Sequence, residues 1–147
     1  RLKRPSTILT VASVIIDTSA IIAVLRSEDE SERIAEALAS TSDLRISAAT
    51  YVELFAVLSR SRDHTIAARR LLDDLGVTVE PFDHAQAKIA SSAYVQYGRG
   101  SGHRAGLNLG DTYSYALAWI TGQELLFVGD DFSHTDVIPA LRQVSGS

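Results

Sequence analysis

Acidic side chains recur in this chain at places that are otherwise apolar. Asp17 closes the run Val14-Ile15-Ile16, and Glu53 interrupts Tyr51-Val52-Glu53-Leu54-Phe55-Ala56-Val57-Leu58. Asp111 stands in Asn108-Leu109-Gly110-Asp111-Thr112-Tyr113, ahead of an apolar stretch, while Asp130 and Asp131 follow Leu125-Leu126-Phe127-Val128. Each has an ordinary alternative role: a helix N-cap for Asp17, a helix margin for Glu53, a partner of the helix dipole for Asp111, a turn residue for one of the pair Asp130 and Asp131. Glu53 resists its alternative most. A segment apolar nearly all round is expected to be a buried helix, and a buried carboxylate must be paired, protonated or metal-bound. The nearest basic residue along that helix is Arg60, seven positions on and beyond the i,i+4 reach.

If these carboxylates converge, electrostatics decides what accompanies them. Two like charges ~5 Å apart repel by roughly 3 kcal/mol at an effective dielectric of 20, and four carboxylates make six such pairs. Hard divalent cations prefer oxygen ligands, so an acidic cluster without a nearby lysine reads as a Mg²⁺ or Mn²⁺ site. Such a site serves phosphodiester hydrolysis by activating water, neutralising phosphoryl oxygens and steadying the leaving oxygen. No Gly-x-Ser-x-Gly elbow and no Walker-type phosphate loop offers another route. Local positive charge stands in Gly98-Arg99-Gly100-Ser101-Gly102-His103-Arg104, just before Asn108. Arg99 and Arg104 are candidates for phosphates flanking the cut bond, with His103 as a further contact. His64, His84 and His134 lack ligand spacing, and Trp119 sits on an apolar helix face that suits a core.

The elements that must position these residues alternate in type. Short strands are expected at Val14–Asp17, Leu44–Ile46, Val77–Glu80 and Leu125–Val128, with an edge strand at Val137-Ile138. Between them, helices are expected over Ala20–Arg26 (capped by Thr18 or Ser19), Asp29–Ser40, Ala48 to about Arg60 (capped by Ser47), Asp63–Leu75 (ended by Gly76), from Asp83 to about Tyr97, and Leu109–Thr121 (closed by Gly122). This alternation predicts an α/β sandwich with a mostly parallel central sheet flanked by helices. In such sheets, sites form beyond the carboxyl ends of the strands, where Asp17, Asp130 and Asp131 fall.

Composition narrows the class. The chain is 46% hydrophobic and 22% charged, and its 147 residues suit one compact domain. It has no cysteine, which excludes disulfides, thiolate metal sites and cysteine nucleophiles, and is consistent with a cytoplasmic protein. The formal charge of −4 is unlike that of a general nucleic-acid binder, so a polyanion must be met through local arginines or bridging cations. Between Ile8 and Leu25 only Asp17 is charged, behind Arg1, Lys3 and Arg4, in the manner of a signal or membrane segment. An Asp at mid-membrane costs about 2.5–3.5 kcal/mol, and the segment divides into strand-like and helix-like halves, so no membrane role is expected. The chain begins with Arg and lacks Met. Residues 1–13 are therefore read as an N-terminal extension or fusion remnant, 14–141 as the domain and 142–147 as a tail.

The motifs resemble those of PIN-domain ribonucleases, in particular VapC toxins of bacterial toxin–antitoxin pairs. They are Ile16-Asp17-Thr18-Ser19-Ala20, Ala49-Thr50-Tyr51-Val52-Glu53, Asn108-Leu109-Gly110-Asp111 with Tyr115-Ala116-Leu117-Ala118, and Gly129-Asp130-Asp131-Phe132 with Thr135-Asp136. Their order and spacing follow the family over nearly the whole domain. The resemblance implies a PIN-like three-layer sandwich and a Mg²⁺- or Mn²⁺-dependent endoribonuclease. Asp17, Glu53 and Asp111 would be the catalytic, metal-binding acids. Asp131 would be the fourth, since the family reads Gly-x-Asp-Phe, with Asp130 the lesser candidate. Thr18 or Ser19 would steady the site near Asp17, and Asn108 would lie close to Asp111. The resemblance also implies RNA as substrate, a homodimer and inhibition by a VapB-type antitoxin. Two other readings compete. An aspartyl phosphotransfer domain, phosphatase-like or receiver-like, would need a lysine beside its phosphoryl group, and the chain has only Lys3 and Lys88. A catalytically silent PIN-like interaction module would not need the full set of acids.

Overall fold

The computed structural model describes residues 12–141. Of the residues read as extension (1–13) and tail (142–147), 1–11 and 142–147 lie outside the described residues.

Val14–Ile16 forms strand β1 and Thr18–Leu25 helix α1, so the apolar N-terminal run does divide at Asp17. Next come helix α2 (Ser31–Ser40), strand β2 (Leu44–Ser47), helix α3 (Ala48–Leu58), helix α4 (Arg62–Asp74) and strand β3 (Thr78–Glu80). Helices α5 (His84–Tyr97) and α6 (Leu109–Thr121), strand β4 (Glu124–Leu126), a short 3₁₀ turn at Asp131–His134 and strand β5 (Ile138–Pro139) complete the chain. The five strands form one sheet in the order β3-β2-β1-β4-β5, and every neighbouring pair is parallel.

The period-2 alternation of side chains on β1 and β4 separates two cores. Ile15 and Leu125, paired in register, join Ile89, Ala93, Leu107, Tyr115 and Leu117 on the face covered by α5 and α6. Ile16 and Leu126, the next pair, join Ile21, Ile34, Leu54, Leu58 and Leu72 on the face covered by α1 to α4. The result is a helix–sheet–helix sandwich. Trp119 belongs to the first core, as its apolar helix face suggested. Among the described residues no helix is long and apolar enough to cross a membrane.

Several local expectations shift. Helix α1 is capped by Asp17 rather than by Thr18 or Ser19, because the carboxylate accepts the Ser19 backbone N–H at 3.0 Å. Ser47, Asp83 and the left-handed Gly122 end their helices as expected, and Gly76 is left-handed just past α4. Helix α4 starts earlier than expected, behind a Ser61 cap, and α2 starts later, at Ser31. Strand β4 stops at Leu126 instead of Val128, since the Val128 N–H leaves the ladder to donate to Ser19 Oγ at 3.0 Å. The largest correction concerns α3, which is not buried all round. It buries Thr50, Leu54 and Leu58, but Val52 is 68% exposed and Val57 48%, because only one side of this helix meets the sandwich.

Candidate metal centre

The sheet order reverses direction around β1, whose neighbours are β2 on one side and β4 on the other. Ligand sites form at such switch points, beyond the carboxyl ends of the strands. Asp17 follows β1 directly, and its backbone N–H donates to the Leu126 carbonyl of β4 at 3.0 Å. The N-terminal ends of α3 and α6 meet there as well.

Asp17 is 3% exposed, yet both carboxylate oxygens have donors. Oδ2 accepts from Ser19 N–H at 3.0 Å and Ser19 Oγ at 2.7 Å, and Oδ1 accepts from Ser114 Oγ at 2.6 Å. The Ser114 proton goes to the carboxylate, so Thr50 Oγ1, 3.1 Å from Ser114 Oγ, donates to Ser114. Both hydroxyl residues are fully buried. Burial raises the Asp17 pKa above the usual carboxylate value, against the opposing pull of Ser114 and Ser19.

Glu53 projects from α3, and its Oε1 accepts from Thr18 Oγ1 at 2.6 Å. Its pKa too is raised, first by burial, against the Thr18 hydrogen bond, with the Asp17 charge adding to the rise. Asp111 closes a capping box at the start of α6: Asn108 N–H donates to Asp111 Oδ2 at 3.0 Å, and Asp111 N–H donates to Asn108 Oδ1 at 2.8 Å. Its carboxyl is pushed up to about 7, first by burial and then by the charge of Asp17, with Asp131 and Glu53 contributing further. Capping and participation in the cluster are therefore compatible roles for Asp17 and Asp111.

The adjacent aspartates of the 3₁₀ turn differ. Asp131 acts electrostatically on Asp111, whereas Asp130 lies 3.0 Å from His134 Nε2 with its side chain 73% exposed. Among the described residues none of Asp17, Glu53, Asp111 and Asp131 has a basic partner within ion-pair distance. Lys88 is exposed on α5. Asp111 thus feels the charges of Asp17, Asp131 and Glu53, and Glu53 that of Asp17, and carboxylate oxygens are the donor type that hard divalent cations prefer. Among the described residues no three acidic, histidine or cysteine side chains already stand close enough together to hold a metal ion.

The basic loop between α5 and α6 is internally braced. Gly98 bridges Leu107, Ser101 Oγ accepts the His103 N–H at 3.1 Å, and His103 Nδ1 accepts the Ala105 N–H at 3.0 Å. The His103 ring also packs edge-on against Tyr97, 4.9 Å between centroids. His103 thus holds the loop together, while Arg99 and Arg104 are exposed.

Sequence reasoning missed Ser114 and Thr50. A signal existed for Ser114, which lies three residues after Asp111 on the same face of α6. Thr18 and Ser19 were singled out jointly near Asp17, but they divide the work: Ser19 serves Asp17 and Thr18 serves Glu53.

Comparison with known proteins then places this arrangement. Residues 14–138 match the family model described as "PIN domain". The chain belongs to the PIN-domain family. Within it, this PIN domain falls among the VapC endoribonucleases. It is 55% identical over 130 residues to "Ribonuclease VapC42" of Mycobacterium tuberculosis, covering 86% of this chain and 98% of that relative. The PIN fold is shared with the solved M. tuberculosis VapC20, described as a Sarcin-Ricin loop cleaving toxin, at a TM-score of 0.70 and 19% identity over 85% of this chain and 96% of that one. It is shared too with VapBC-5 of M. tuberculosis, a member of the VapBC family of toxin–antitoxin systems, at a TM-score of 0.60 and 21% identity over 88% and 100% of the two chains.

Proposed function

We propose that this PIN domain cleaves RNA with the help of Mg²⁺ or Mn²⁺ held by Asp17, Glu53, Asp111 and Asp131, and that it is the toxin of a type II toxin–antitoxin pair. One arrangement carries the reading: the Glu53 carboxylate, held by the Thr18 hydroxyl, lies against Gly110 beside the Asp111 cap, and the Asp111 carboxyl is pushed up to about 7 by burial and the charges of Asp17, Asp131 and Glu53. A neutral-pH site built to bind a proton has no need of four acids, whereas a site built for a divalent cation does. When bound, such a cation lowers the pKa of a water and neutralises the phosphoryl oxygens. The protein's own part is to hold the acids in place. Ser19 and Ser114 orient Asp17, Thr18 orients Glu53, and the Asn108 backbone orients Asp111. Asp130, turned to His134, has the lesser role. Arg99 and Arg104 grip phosphates on either side of the cut bond.

The partners follow the same reading. The protein acts in the cytoplasm, paired with a VapB-type antitoxin, as the likeness to a VapBC system supports. A homodimer is supported by exposed apolar side chains beside the acids, Val52 next to Glu53 and Leu109 next to Gly110, 68% and 59% exposed.

The test is RNA cleavage by the purified protein with Mg²⁺ or Mn²⁺, with EDTA, and in Asp17→Asn and Asp111→Asn. Cleavage is expected only in the wild type with metal, while both variants remain folded. Cleavage that survives EDTA and both substitutions rules out the metal mechanism. Mapping of new 5′ ends across the transcriptome then names the RNA target.

A further inference from the structure

Gly110 is the second residue of α6, where glycine is disfavoured relative to alanine. It is not among the glycines with positive φ, so its backbone suits any residue. What a side chain would meet there is Glu53. A Cβ on Gly110 would lie 1.5 Å from Glu53 Oε2, 2.3 Å from its Cδ and 2.9 Å from Oε1, all closer than real Cβ contacts. The obstacle is the far end of a flexible, half-buried side chain, not backbone or packed core. A methyl group at this position therefore displaces a carboxylate and leaves the packing of α6 intact.

We propose that Gly110 is a positioning residue of the metal centre: its missing side chain is the seat that brings the Glu53 carboxylate against the first turn of α6, beside Asp111. The seat works with Thr18, whose hydroxyl holds the other oxygen of the same carboxylate at 2.6 Å. Helices α1, α3 and α6 thus meet at one carboxyl group. The inference rests on the metal-dependent reading above, and it explains why a residue unfavourable for the helix stands beside the Asp111 cap.

The experiment uses the full chain as wild type, Gly110→Ala, Glu53→Asp and the double variant. Mn²⁺ is titrated calorimetrically, and thermal unfolding is followed in EDTA. Gly110→Ala is expected to melt at or above the wild-type temperature while binding Mn²⁺ about tenfold or more weakly. In the Glu53→Asp background, where the side chain is one methylene shorter, the same substitution should change Mn²⁺ affinity by less than about twofold. Unchanged Mn²⁺ affinity in Gly110→Ala overturns the proposal. So does a penalty of equal size in both backgrounds, or a clear fall in melting temperature in EDTA. A wild type that binds no Mn²⁺ instead sinks the metal-dependent reading. The seat is then judged by the crystal structure of Gly110→Ala, where a Glu53 carboxylate moved off the Thr18 hydroxyl supports it and an unmoved one overturns it.

Discussion

Ser114 Oγ donates to Asp17 Oδ1 at 2.6 Å, joining two buried residues 97 positions apart. Removing this donor leaves part of a buried carboxylate without a partner, at a cost of about 1–3 kcal/mol. In Ser114→Ala the Asp17 carboxyl moves further up and holds a proton in preference to a cation. Mn²⁺ affinity is expected to fall about 10- to 100-fold, as for other residues that orient metal ligands. Thr50→Val should do less, since Ser114 still reaches Asp17. Calorimetric titration of both variants checks the order, and a Ser114→Ala protein with wild-type affinity removes Ser114 from the site.

The Asp111 carboxyl predicts how metal-free stability varies with pH. Its folded pKa is about 7, above the ordinary 3.8. Between those values the unfolded chain has lost the proton and the folded chain retains it, so the folded state binds more protons. Stability without metal therefore falls as pH rises from about 4 to 7 and levels off above. Asp17 and Glu53, also raised, act in the same direction. Asp111→Asn keeps an acceptor for the Asn108 N–H but loses this titration. It should flatten the curve and melt above the wild type at pH 8 in EDTA. Added Mn²⁺ should stabilise the wild type more at pH 8 than at pH 5, because protons compete for the ligands. Parallel melting curves for the two proteins across this range would mean that Asp111 is not coupled as described.

Neighbouring aspartates are expected to behave differently. Asp131→Asn removes a charge that acts on Asp111 and should weaken Mn²⁺ binding about tenfold or more. Asp130→Asn breaks only an exposed contact with His134, and exposed pairs contribute about 0–1 kcal/mol. Its cleavage rate should stay close to wild type. The opposite ranking in a cleavage assay would move the fourth ligand to Asp130.

Arg99 and Arg104 are predicted to serve RNA affinity rather than chemistry. Replacing either by Ala should weaken binding to RNAs of any sequence and make the salt dependence shallower by about 0.7 per lost phosphate contact on a single strand. Mn²⁺ affinity should not change. Binding measured across a salt series decides, and an unaltered slope would take the loop out of the RNA path.

Local chemistry along the chain determined most of the elements and the candidate acids. Apolar runs of strand length, the caps at Ser47 and Asp83, and the glycines after α4 and α6 act through near neighbours, so they were legible directly. The spacing of Asp17, Glu53, Asp111 and the Asp130–Asp131 pair carried the resemblance to the family for the same reason. Tertiary structure alone decided the rest. The order β3-β2-β1-β4-β5 sets β4 against β1 and brings the turn after β4 to Asp17. Contacts across 35 to 109 residues link Thr18 to Glu53, Ser114 to Asp17 and Val128 to Ser19, and no local propensity encodes them. The exposure of Val52, the different surroundings of Asp130 and Asp131, and the closeness of Glu53 to Gly110 likewise depend on which faces meet. Residue type limits what a side chain can do, but packing between distant segments sets the burial and the neighbouring charge that raise the carboxyls of Asp17, Glu53 and Asp111.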